Sequence, residues 1–220
     1  IAALGPDLIV AADYEWNTNY RARLGKIART VVVPSSDWRE ATHAIAAAVG
    51  AFRRLAEMQK ELEWRSAQIR NKFGRQLDAY RWDLVDGGGE GGEYLVFGPE
   101  SGPGGVLTGA GVRLASGSAK VSGGEDASYS AVGVSGGLEG VTNAGEIDVL
   151  GDAGVIAYRS DWEANGPKNE MILFAQPEFQ ELAAVKAGRL VPLPDFLPQG
   201  YGDALALLDQ LEAGLKQLAT

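Results

Sequence analysis

Apolar positions along this chain fall into short runs of strand length and longer stretches at helical spacing, and the two kinds alternate. Leu8–Ala12 and residues 30–33 read as buried strands, the second closed by Pro34. Residues 13–19 read as the loop after the first strand, and 20–27 as a helix. Asp37 and Glu40 have the spacing of a reciprocal cap, so a helix is expected over Trp38–Val49, with Gly50 breaking it. From 51 to 73, Phe52, Leu55, Met58, Leu62, Ile69 and Phe73 recur largely at three and four residues. This predicts the longest helix, on the order of 35 Å, with Gly74 placed to stop it.

Strands are expected at 79–85 and 94–97, joined by the glycine-rich residues 86–92. Residues 102–112 read as a helix despite their glycines, and the Ser/Gly-rich span 115–137 is expected to be irregular in part. A helix at 143–150 and a strand at 154–158 follow. Pro177 opens a further helix over 177–187, which Gly188 ends in a left-handed cap. A strand at Leu190–Leu193 and an amphipathic helix at Tyr201–Leu218 close the chain. Strands alternating with helices imply an α/β fold with a mainly parallel sheet.

At 220 residues the chain is one large domain or two lobes with length enough for a real core. The net charge of −9 argues against nucleic-acid binding, and no Lys/Arg cluster suits an anionic membrane. The absence of cysteine excludes disulfides, thiolate metal sites and cysteine nucleophiles. No apolar run approaches the ~20 residues of a membrane-spanning helix, and no signal-peptide pattern opens the chain.

Two formal motifs dissolve on inspection. Gly87-Gly-Gly89-Glu-Gly-Gly92 has dinucleotide-loop spacing, but Glu93-Tyr-Leu-Val-Phe97 after it is strand-like where a helix is needed, so a hairpin turn is the better reading. Gly133-Val-Ser135-Gly-Gly137 matches a nucleophile elbow, but the single histidine, His43, precedes it on an expected helix. One histidine also cannot build the His/carboxylate cage of a zinc or manganese binder, and His43 reads as a surface or packed helix residue.

Three segments carry a likeness. They are Ile1-Ala-Ala-Leu-Gly-Pro6-Asp7-Leu-Ile-Val10, Glu146-Ile-Asp-Val-Leu150-Gly-Asp152-Ala-Gly-Val-Ile156, and Phe174-Ala-Gln-Pro177-Glu-Phe-Gln-Glu-Leu-Ala-Ala-Val-Lys186-Ala-Gly188-Arg189-Leu-Val-Pro-Leu193. In order and wording they resemble the binding proteins that deliver ferric siderophores, haem and cobalamin to ABC importers. Gly154 stands where that family usually has Asp. The resemblance implies a two-lobed periplasmic-binding-protein fold with a Rossmann-like second lobe and a long helix linking the lobes. Residues 1–37 would end the first lobe, 38–74 form the helical linker and 75–220 the C-terminal lobe. It further implies that most of a first lobe, roughly a hundred residues, lies upstream of Ile1, and that these residues alone hold cargo weakly or not at all.

The function so implied is capture of a ferric siderophore or similar iron chelate in an interlobe cleft and delivery to the permease, without catalysis. Iron would travel in an organic chelate, with no cofactor of the protein's own. Partners would be the chelate and the permease, with no nucleic acid, and the place extracytoplasmic, periplasmic or anchored as a lipoprotein. Haem, cobalamin, or a role as a receptor's ligand-sensing module are the alternatives.

Ligands of open α/β sheets sit beyond the carboxyl ends of strands. Loops expected there hold Tyr14 and Trp16, Pro99-Glu-Ser101, then Tyr158, Arg159 and Trp162, and finally Phe196 and Tyr201. Arg81 lies on the first strand of the C-terminal lobe, where proteins resembling this one often carry an arginine. A guanidinium suits anionic iron ligands through paired charged hydrogen bonds, and Trp or Tyr offer rigid contact to flat ones. The competing reading is that these aromatics cap the core. The resemblance makes Glu146 a permease contact, while Asn143 three residues before it makes it equally a capping residue.

Overall fold

The computed structural model describes residues 1–13, 15–34, 37–87, 94–119, 141–142, 147, 149–160 and 173–218, without the side chains of 15–19 and 141–142. The chain divides into two compact units, Ile1–Lys60 and Glu61–Thr220.

In the first unit, β1 (Leu8–Ala12) pairs in parallel with β2 (Arg29–Val33), Leu8 opposite Arg29 and Ala12 opposite Val33. Helix α1 (Glu15–Leu24) joins them, beginning where a loop was expected. Helix α2 (Trp38–Val49) starts as its cap predicts: the Asp37 carboxylate accepts from the N–H groups of Arg39 (2.8 Å) and Glu40 (3.3 Å). The core is thin. Ile9, Val33, Trp38, Ala46 and Leu55 are buried, whereas Leu4, Val10 and Val49 are exposed.

Helix α3 (Phe52–Ala79) runs past the expected stop at Gly74, bending only at Phe73, where φ is −118° and ψ 17°. Ile69, Phe73 and Leu77, four residues apart, are all buried. That stripe outweighs the ~1 kcal/mol that one glycine costs a helix. The extension displaces the following strand, so β3 is Trp82–Asp86 and does not begin at residue 79.

The second unit is built on a five-stranded sheet of order β5-β4-β3-β6-β7, with β4 Tyr94–Val96, β5 Val141–Thr142, β6 Val155–Arg159 and β7 Leu190–Leu193. β3, β6 and β7 are parallel neighbours, and β4 is antiparallel to both β3 and β5. Only β4 therefore runs against the rest. Val85 pairs with Val96 and Asp86 with Leu95, and the glycine-rich turn expected between the two strands lies largely outside the described residues.

Helices cover both faces. Val85, Ile156, Phe179, Leu182 and Ala184 share one cluster, which places α6 (Pro177–Gln180) and α7 (Ala183–Lys186) on the Ile156 face. The single helix expected there is two, because Leu182 adopts extended backbone (φ −59°, ψ 139°) and joins Phe179 and Ala184 in the core. Gly188 closes α7 with φ +66°, the left-handed value anticipated. The other face carries α8 (Tyr201–Leu218), so close that a Cβ on Gly214 would meet the Val191 side chain at 2.3 Å. Helix α4 (Gly102–Gly109) packs against α8. Glu212 on α8 ties that helix to α3, pairing with Arg65 (2.6 Å) and Lys72 (2.7 Å), and receives Lys216 as well (2.9 Å).

Candidate functional site

Parallel strands present their last residues together, and here register brings two charges side by side. Val85 of β3 lies opposite Tyr158 of β6, so Asp86 and Arg159 follow at one level at the carboxyl rim. Their odd offset from Val85 and Tyr158 turns them to the opposite face, the one that α8 covers. Arg159 Nη1 donates to Asp86 Oδ2 at 3.1 Å. Both side chains are mostly shielded, and the low local dielectric strengthens the attraction while desolvation offsets part of it.

On the other face Tyr158 is half-buried and meets Phe174 edge-on, ring centroids 4.9 Å apart at 76°. Phe174 in turn stacks on Phe179 at 5.2 Å. The rim of β3 and β6 thus carries an ion pair on one face of the sheet and a fixed aromatic wall on the other. Flat contact with the aromatic wall and directed hydrogen bonds from the strand ends are what such a rim can offer an organic shell. It offers no nucleophile–base pair among the described residues.

The other expected site residues are dispersed. Arg81 precedes β3 at its amino end, about 16 Å of strand away from Arg159, is exposed and donates to the Leu114 carbonyl at 3.1 Å. It braces a loop at the far rim. Phe196 is wholly buried and packs edge-on against Phe97 at 5.0 Å, and Tyr201 is buried at the start of α8. For these two the core-capping reading describes their surroundings. Pro99-Glu-Ser101 follows the antiparallel β4, so it leaves toward the amino ends of β3 and β6. There Ser101 caps α4, accepting from Gly104 N–H at 3.1 Å. Tyr14, Glu146, Trp162 and Ser135 lie outside the described residues, as does the side chain of Trp16. His43 is exposed on α2, edge-on to Phe52 at 5.7 Å.

At the carboxyl ends of β1 and β2 in the first unit, Ala11, Asp13, Arg21, Leu24 and Val32 help line a concavity of about 160 Å³. Sites for drug-sized ligands run to roughly 300 Å³ and above. This hollow alone is too small for a ferric chelate.

Sequence reasoning missed Asp86, which looked like the start of a turn. Its pairing depends on the alignment of β3 with β6, 73 residues apart in the chain, and no local signal encodes that. Missed too was Asp83, fully buried on the same strand toward its amino end. Asp83 Oδ1 accepts the Ser118 N–H at 2.9 Å from α5 (Ser116–Ala119), and burial, with a lesser push from Asp152, raises its pKa to about 6.

No family model and no curated protein matches the chain. Solved structures do. The siderophore periplasmic binding protein from the fuscachelin gene cluster of Thermobifida fusca is similar over 98% of this chain and 76% of its own, with 29% identity and a TM-score of 0.75. The chain has the fold of the siderophore periplasmic binding proteins. SirA of Staphylococcus aureus, complexed with staphyloferrin B, shares that fold at 21% identity and a TM-score of 0.74, over 98% of this chain and 73% of its own. FhuD2 of the same organism, unliganded, does so at 16% identity and 0.75, over 98% and 78%. The resemblance read from the three segments is borne out, and with it the α/β architecture. These neighbours are binding proteins rather than enzymes, and among the described residues no helix is long and apolar enough to cross a membrane.

Proposed function

We propose that this protein is the substrate-binding component of an ABC importer, receiving a ferric siderophore or similar iron chelate and handing it to the permease. The observation that carries the reading is the match along nearly the whole chain to a siderophore binding protein at 29% identity. A shared fold alone would not carry it, because folds host many functions. The rim of β3 and β6 supplies the second support: a shielded guanidinium on one face and an aromatic wall on the other, at the sheet edge where ligands of such folds bind. Extracytoplasmic placement, free or lipid-anchored, follows from the same reading. The haem and cobalamin alternatives gain nothing from the neighbours, among which the Thermobifida fusca and Vibrio cholerae proteins are named as siderophore binders.

The test is to purify the full-length protein, record its visible spectrum and titrate it with ferric siderophores while following tryptophan fluorescence. Saturable quenching, with a ferric chelate band in the co-purified material, is the expected result. Haem or corrin bands, or no response to any ferric chelate, would overturn the proposal.

A further inference from the structure

Helix α5 lies against β3 with almost no apolar anchor of its own. Of its four residues only Gly117 and Ser118 are buried, and neither brings an apolar side chain. Its attachments are polar. Ser118 N–H donates to Asp83 Oδ1 (2.9 Å), and the Ser118 hydroxyl accepts from Leu84 N–H (3.0 Å). Ser116 N–H donates to both oxygens of Asp152 (3.2 and 3.1 Å). Gly117 permits the close seat, because a Cβ there would meet the Val149 carbonyl oxygen at 2.5 Å. A segment with so few apolar contacts opens on its own more readily than the core beneath it.

The group it covers can take up a proton. Asp83 is fully buried, and its Oδ2 has no hydrogen-bond partner among the described residues. Trp82 and Leu84 flank it on β3, and Ile156 lies opposite on β6. Arg81, two residues back, donates to the Leu114 carbonyl at 3.1 Å. The charged group that acts on Asp83 is Asp152, and it repels. Burial outweighs the Ser118 hydrogen bonds and pushes the Asp83 pKa up to about 6. With α5 lifted and water admitted, the carboxyl returns toward the ordinary 3.8.

We propose that α5 is a proton-sensitive latch, seated firmly on β3 while the Asp83 carboxyl is neutral and loosened when that carboxyl ionises beneath it. Cargo plays no part in this, so the latch stands apart from the siderophore reading. The seated form has the higher pKa, so acid favours it and opening rises with pH between about 4 and 6. Between pH 4 and pH 7 the open fraction grows roughly fiftyfold.

The experiment is amide hydrogen exchange of the full-length protein from pH 4 to pH 7, corrected for the intrinsic exchange rates. Protection at the Ser118 and Ala119 amides is expected to fall roughly fiftyfold over that range. At every pH it should stay below the protection of Ile156 and Ala157 in β6. In Asp83→Asn, which keeps an acceptor but cannot ionise, the α5 protection should be level across the range. A carboxyl-carbon titration of the unaltered protein should place the Asp83 midpoint near 6. Level α5 protection in the unaltered protein overturns the latch, as does exchange of α5 in step with β6 or an Asp83 midpoint near 3.8. If Asp83→Asn does not fold, the exchange profile and the midpoint of the unaltered protein decide the question by themselves.

Discussion

Two aspartates three residues apart on one strand meet burial in opposite ways. Asp83, toward the amino end of β3, receives a backbone N–H from Ser118 and faces a second carboxylate in Asp152. Its charge is costly, and the group holds its proton up to about pH 6. Asp86, at the carboxyl end on the opposite face, has a guanidinium at 3.1 Å. The first is a structural peg between strand and helix. The second is part of an ion pair that joins the carboxyl ends of two strands. Residue type does not separate the two; the neighbour that register supplies does.

The strongest way to break this contrast is to remove the guanidinium. Arg159→Ala leaves Asp86 buried without it, and is expected to lower stability by about 3 kcal/mol and chelate affinity by about a hundredfold. Arg81→Ala, at the far rim, should leave affinity within twofold of the parent by the same titration. Comparable losses in the two variants would mean that the rims are not functionally distinct.

Glu212 sharpens the comparison as a third buried carboxylate, surrounded by cations. Hydrogen bonds from Lys72, Lys216 and Arg65 hold its pKa down to about 2, from the usual 4.5. Its contribution is therefore full above about pH 4.5 and fades as pH falls toward 2. Glu212→Gln should cost about 2 kcal/mol in denaturant unfolding at pH 7, and progressively less in acid.

Asp83 has the reverse sign. Its pKa stands above the usual 3.8, so the ionised group costs stability at neutral pH, and that cost vanishes as pH drops through 6 toward 4. Asp83→Asn should raise stability at pH 7 by about 1 kcal/mol and leave it unchanged near pH 4. A loss at pH 7 would show that the carboxylate is better accommodated than its surroundings imply.

The smallest effect belongs to Arg189, whose guanidinium lies 4.9 Å from the Tyr80 ring centre and which bonds the Gly154 carbonyl at the amino rim. Arg189→Ala should cost about 1 kcal/mol in melting experiments, with chelate binding untouched.

Much of the fold was legible because its signals are local. Asp37 and Gly50 bracket α2, Pro177 and Gly188 bracket the α6–α7 segment, and β1, β7 and α8 fall where periodicity puts them. The departures arise where distant packing outvotes a local cue. Burial of Ile69, Phe73 and Leu77 carries α3 through Gly74, and Leu182 breaks a helix to reach the core. The site was legible only by half. Tyr158 and Arg159 stand at a strand end as expected, whereas Arg81, expected within the first strand of the C-terminal lobe, precedes β3, whose start was set three residues early. Asp86 was invisible until β3 and β6 were aligned.

Because β4 alone opposes the other four strands, the segment leaving it opens away from the rim where Asp86 and Arg159 stand. On the proposed reading, substitutions that change the cargo are expected at the junctions after β3, β5, β6 and β7, whose carboxyl ends share that rim. Drift at Pro99–Ser101 would be neutral to cargo and visible only as a change in how well the helix behind it is seated.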